Sequence, residues 1–120
     1  ELPLDVRTFL KTSSLKFNIK ELKNGQFIYL GIENALKTHL FKNSNFSENI
    51  IKLIINVDGL CLFKSSSINL WPILGMVQNS VRKPFVIGIF CGISKPQPLS
   101  DFLDDFIIEL SHLLTNGFQL

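Results

Sequence analysis

The run Ile50-Ile51-Lys52-Leu53-Ile54-Ile55-Asn56-Val57 ends on an acid, Asp58, followed by Gly59. No other feature restricts the fold as much. So continuous an apolar run predicts a β-strand covered on both faces, near the centre of a sheet. A carboxylate at its end is costly to desolvate unless something pairs with it. Two answers stand open. In one, the strand stops at Asp58, Asp-Gly forms a turn and the side chain reaches water. In the other, Asp58 binds a divalent cation, which reverses the cost.

The rest of the second half reads clearly. Leu60–Phe63 continues the first strand past the break at Asp58-Gly59, and Lys64-Ser65-Ser66-Ser67 is a polar loop. Leu70–Val77 is a second strand, in which Pro72 predicts a bulge or the strand's start. Pro84–Cys91 is a third, strongly apolar strand. Short connections between the three imply an antiparallel meander. A Pro-rich connector leads to a helix over 100–116, with Ser100 as N-cap and Asp101, Asp104 and Asp105 complementing the helix dipole. Its apolar face is Phe102, Leu103, Phe106, Ile107, Leu110, Leu113 and Leu114, and Asn116-Gly117 ends it.

The first half is less regular. Val6–Leu10 predicts a short helical turn capped by Asp5, Thr12-Ser13-Ser14 a loop, and Asn24-Gly25 a turn. Apolar residues at three- and four-residue spacing predict a helix over about 27–41, with Glu33 and Lys37 as an i,i+4 pair. Residues 1–49 therefore read as an N-terminal extension with one helix, and 50–120 as the core.

Composition narrows the function classes. One compact domain fits 120 residues, and 46% apolar residues supply a core. A net charge of +2 does not argue for nucleic-acid binding by itself. Cys61 and Cys91 have no zinc-type spacing and read as small core residues of a reduced, intracellular protein. No apolar run is long enough to span a bilayer.

Three strands and a helix, with an acid on the first strand, is how a ribonuclease-H-like fold begins. Further residues carry a family likeness: Asp58-Gly59, Phe63-Lys64-Ser65-Ser66-Ser67, Trp71-Pro72-Ile73-Leu74, Gly92 with Lys95-Pro96, Asp101-Phe102-Leu103, Glu109-Leu110 and Asn116-Gly117. In this order and spacing they resemble the N-terminal part of the catalytic core of CACTA (En/Spm)-type DDE/D transposases and their animal transposase-derived relatives. Leu2–Thr12 looks like the segment that precedes that core in the animal branch. The resemblance implies a nuclear protein acting on DNA, the transposon ends, with Mg²⁺ or Mn²⁺. Asp58 would be the first of three carboxylates that hold the metals activating a water or a 3′-hydroxyl. In the family the other two acids come after this helix. The chain as it stands is therefore expected to be inactive and to hold no metal of its own.

The resulting expectation is an α/β chain, a truncated ribonuclease-H-like fold: a three-stranded antiparallel meander, a packed C-terminal helix and an N-terminal helical extension. Its open strand edge invites self-association. The alternative function is a domesticated, non-catalytic interaction or DNA-binding module that keeps the fold. Lys64, Ser65, Ser66, Arg82 and Lys83 are candidate phosphate contacts, weighed against solvated loop tips. Asp101, Asp104, Asp105 and Glu109 read as dipole complements rather than a metal cluster. His39 and His112 read as structural or exposed, and Trp71 as a core or edge anchor.

Overall fold

A computed structural model describes residues 19–42, 49–61, 67–80 and 82–118. Among the described residues, six strands and two helices follow one another: β1 (Ile19–Leu22), β2 (Gly25–Tyr29), α1 (Ile32–Lys42), β3 (Leu53–Val57), β4 (Leu60–Cys61), β5 (Asn69–Val77), β6 (Phe85–Gly92) and α2 (Leu99–Asn116). The predicted turn at Val6–Leu10 and the loop at Thr12-Ser13-Ser14 lie outside the described residues.

The strands form one antiparallel sheet in the order β1-β2-β6-β5-β3, with β4 also paired to β5. This is not the three-stranded meander expected: β3, β5 and β6 belong to a larger antiparallel sheet, in which the β1–β2 hairpin pairs with β6. The first half is thus not only a helical extension. Phe27 and Tyr29, expected in a helix, lie in β2, and the helix begins at Ile32. The spacing misled because Phe27 and Tyr29 alternate onto one sheet face, while the helical period starts only beyond Gly31.

Both helices cover one face. Ile32 and Leu36 of α1 and Phe102 and Phe106 of α2 join Leu22, Phe27, Ile73, Val77, Ile87 and Phe90 in a single core cluster. Phe102 meets Phe27 edge-on at 5.2 Å between ring centres, a favoured aromatic geometry. A smaller cluster, Ile28, Ile89 and Cys91 with Leu70 and Val86, lies apart from this core. The strands alternate between the two clusters, as a pleated sheet requires.

β3 departs from expectation. It is an edge strand of the described sheet, not a central one. Its apolar run is continuous, yet only Leu53 and Ile55 pack on the core, whereas Ile54 is 42% and Val57 40% exposed. An uninterrupted apolar run marks a strand covered on both sides only when both layers exist. Here the helices supply one.

A β-bulge organises the centre. The register of β5 with β6 shifts between Ile73 and Leu74, leaving Ile87 as the extra residue. The Ile87 carbonyl accepts the N–H groups of both Leu30 (2.8 Å) and Gly31 (3.0 Å). Those bonds end β2, and Gly31, at φ 100°, turns the chain into α1 through a conformation that favours glycine. The bulge expected at Pro72 in its own strand is not what forms: the extra residue lies in β6, opposite the Ile73–Leu74 step, and it steers a different part of the chain.

α2 begins one residue earlier than expected. Pro98 is its N-cap, with no side-chain cap, and Ser100 lies inside the helix. Ile107 (52%) and Leu114 (79%) of its expected apolar face are exposed. Gly117 ends the helix, its N–H bonding the Leu113 carbonyl at 2.8 Å.

Candidate functional site

Asp58 follows β3 directly and is exposed. β3 and β4 pair with β5 in one continuous register, Val57 opposite Ile73 and Leu60 opposite Leu70. Extending that register sets Asp58 opposite Pro72 and Gly59 opposite Trp71. Gln78 N–H donates to Lys52 O at 2.7 Å, which fixes the hydrogen-bonding phase of the ladder. By alternation, Asp58 and Pro72 occupy a hydrogen-bonding pair position. Proline has no N–H to give, so the Asp58 carbonyl loses its donor and the ladder opens there. The break in this edge is thus written into β5.

The space around the break is narrow. A Cβ on Gly59 would come within 2.6 Å of the Trp71 indole, so only glycine fits without displacing the ring. Trp71 packs against the core, as an anchor should. Asp58 Oδ1 accepts the Gly59 N–H at 2.8 Å, a local turn contact.

A divalent cation of the Mg²⁺ type takes several hard oxygen ligands. Among the described residues no group of three or more His, Cys, Asp or Glu is placed to hold a metal. Asp58, one oxygen of which is engaged by Gly59, does not make such a site with the residues described around it. Nor does it line the cleft of about 300 Å³ beside β1 and β2 or the apolar groove of about 430 Å³ between the helices and the approach to β3.

Of the candidate phosphate contacts, the two among the described residues, Arg82 and Lys83, do not lie at Asp58. Lys64, Ser65 and Ser66 lie outside the described residues. Arg82 and Lys83 are exposed beyond the far end of β5, and Arg82 Nε donates to the Gln78 carbonyl at 3.2 Å. Pro72, which faces Asp58, is separated from Val77 by five strand steps, roughly 17 Å at the usual rise. His39 lies 5.5 Å from the Phe85 ring, and His112 meets Asn116 at 3.0 Å.

A second polar cluster joins α2 to the first half of the chain. Glu109 accepts the Tyr29 hydroxyl at 2.6 Å. It also accepts the Ile32 N–H at 2.6 Å and the Glu33 N–H at 3.1 Å. One carboxylate from α2 therefore caps α1, where unsatisfied N–H groups and the positive end of the helix dipole meet. Burial above all, then the hydrogen bond and charge of Glu109, with a smaller push from Asp105, hold the Tyr29 phenol well above its usual range. Lys20 Nζ lies nearby, donating to the Asp101 carbonyl at 3.1 Å and standing 3.9 Å from Asp105. The reading of Glu109 as a solvated dipole complement missed this role. A signal was present: Glu109 sits three residues after Phe106 and four before Leu113, on the stripe that faces inward.

Compared with family models, curated proteins and solved structures, the chain has no match. Among the described residues, no helix is long and apolar enough to cross a membrane.

Proposed function

We propose that this chain is the first part of a transposase-derived, ribonuclease-H-like core that acts on DNA in the nucleus. Asp58 would supply one carboxylate of a metal-binding set completed by acids that are not among the described residues. The observation that supports this reading most is the placement of an exposed acid at the break of an edge strand. That strand leads through successive antiparallel neighbours, β5 and β6, into a helix whose Phe102 and Phe106 pack on the sheet. In this reading the chain contributes a scaffold and one ligand, and DNA cleavage or strand transfer needs the completed set.

A second reading is a non-catalytic interaction or DNA-binding module that keeps the scaffold. The local engagement of Asp58 favours it: Oδ1 accepts the Gly59 N–H at 2.8 Å, as in an ordinary Asp-Gly turn. Mn²⁺ titration followed by NMR line broadening at the amides of Val57, Asp58, Gly59 and Leu60 separates the two. Millimolar or weaker binding, localised to these amides and lost in Asp58→Asn, is expected for the first reading. Broadening that is not centred on Asp58 rejects it in favour of the module. Tight binding abolished by Asp58→Ala would reveal a second ligand within the chain.

A further inference from the structure

The free side of β3 has a backbone pattern and a charge pattern that match each other. We propose that it is a self-pairing edge: two copies of this chain join β3 to β3, antiparallel, about a two-fold axis through Ile55. This inference does not depend on the transposase reading.

The backbone sets the first condition. Because Lys52 and Gln78 form a hydrogen-bonding pair, Ile54 and Asn56 direct their main-chain groups toward β5. Leu53, Ile55 and Val57 therefore point theirs away from the sheet, where no strand of the described residues meets them. A two-fold axis at Ile55 sets Ile55 against its copy and Leu53 against Val57 of the second copy. All are outward-facing positions, so about six main-chain hydrogen bonds form without changing either register.

The side chains set the second condition. The same axis brings Lys52 opposite Asp58 of the second copy, twice over. Both residues are exposed, and both lie on the side of the strand that Ile54 and Asn56 occupy, away from Leu53 and Ile55. Opposite charges directly across an antiparallel pair are favourable, and like charges are not. On the same side, partly exposed Ile54 meets Asn56 of the second copy, and on the core side Ile55 meets itself.

The other edge is less suited. β1 carries Lys20 and Glu21 within only four residues, a common protection against pairing. Leu53–Val57 holds no charge, proline or bulge. Its two charges stand just outside the paired segment, where they select a register instead of blocking one.

Sedimentation of the 120-residue chain over a concentration series, with EDTA present, tests the proposal. A monomer–dimer equilibrium is expected for the unaltered chain. Lys52→Glu and Asp58→Lys each set like charges opposite one another and should weaken dimerisation about tenfold. An equimolar mixture of the two variants restores both opposite-charge pairs and should recover the dimer as a heterodimer. Ile55→Pro removes an outward N–H without touching the β5 ladder and should give a monomer with unchanged far-ultraviolet dichroism. Should that variant not fold, amide exchange in the unaltered chain decides: Leu53, Ile55 and Val57 should gain protection as concentration rises. A chain that stays monomeric overturns the proposal and leaves the edge to a strand of another origin. So does a dimer indifferent to both charge reversals, or a mixture that fails to recover association.

Discussion

Glu109 and Tyr29, eighty residues apart in sequence, share a hydrogen bond of 2.6 Å, and the same Glu109 oxygen accepts the Ile32 N–H. This carboxylate ties α2 to the end of β2 and to the start of α1. Removing it leaves a half-buried hydroxyl and two helix N–H groups without their acceptor. Glu109→Ala should therefore cost roughly 2–4 kcal/mol, since hydrogen bonds to charged groups are the stronger kind. Urea denaturation should show a lower midpoint with an unchanged slope. Glu109→Gln keeps a carbonyl acceptor and should cost less.

The raised Tyr29 pKa makes a prediction at alkaline pH. Below the unfolded tyrosine's value near 10, the phenol is neutral in both states and its full contribution is present. Above it, the unfolded chain loses a proton that the folded chain keeps, so stability falls as pH rises, by up to about 1.4 kcal/mol per pH unit from this group. Denaturation midpoints between pH 9 and pH 11 should fall less steeply in Tyr29→Phe. Equal slopes in the two proteins would contradict the assignment.

Asn24 holds the connector before α2. Its Nδ2 donates to Ser94 Oγ at 2.6 Å and to the Lys95 carbonyl, and its Oδ1 accepts the Gln97 N–H at 3.2 Å. Asn24→Ala should destabilise the fold by about 1–2 kcal/mol, the contacts being exposed. Amide exchange should accelerate most at Gln97, with little change in β3.

Pro72 opens the edge at Asp58 by lacking an N–H. Pro72→Ala supplies that donor opposite the Asp58 carbonyl. The amide of residue 72 should then be protected from exchange, and β3 and β4 should join into one strand. The net gain is about 1 kcal/mol at most, offset by the greater freedom of the unfolded chain. An unprotected amide at position 72 would contradict the pairing.

Much of the fold is readable from short-range pattern. The strands at 53–57, 69–77 and 85–92, the α2 helix, its Gly117 ending and the Glu33–Lys37 pair, 3.3 Å apart, all follow from local apolar runs, turn residues and helical spacing. The β1–β2 hairpin was legible only at its turn, Lys23-Asn24 before Gly25, because four- and five-residue strands carry too few alternations to show a period. For that reason Phe27 and Tyr29 read as helical in sequence although they lie in β2.

The candidate site divides the same way. Asp58 stands out in sequence because it ends an apolar run, and its exposure follows from that position. The reason the ladder opens there lies in Pro72, fourteen residues on, and becomes visible only when the register sets the two opposite each other.

By itself, then, the sequence determined where the described chain beyond Leu53 is extended, where it is helical and where it turns, since these depend on neighbours within a few residues. Tertiary structure alone decided that β3 lies at an edge, that β1 and β2 widen the sheet, and that Glu109 caps a helix seventy-seven residues before it. Strand order and cross-element hydrogen bonds are contacts between distant segments, and no local period encodes which distant partner a strand or a carboxylate will meet.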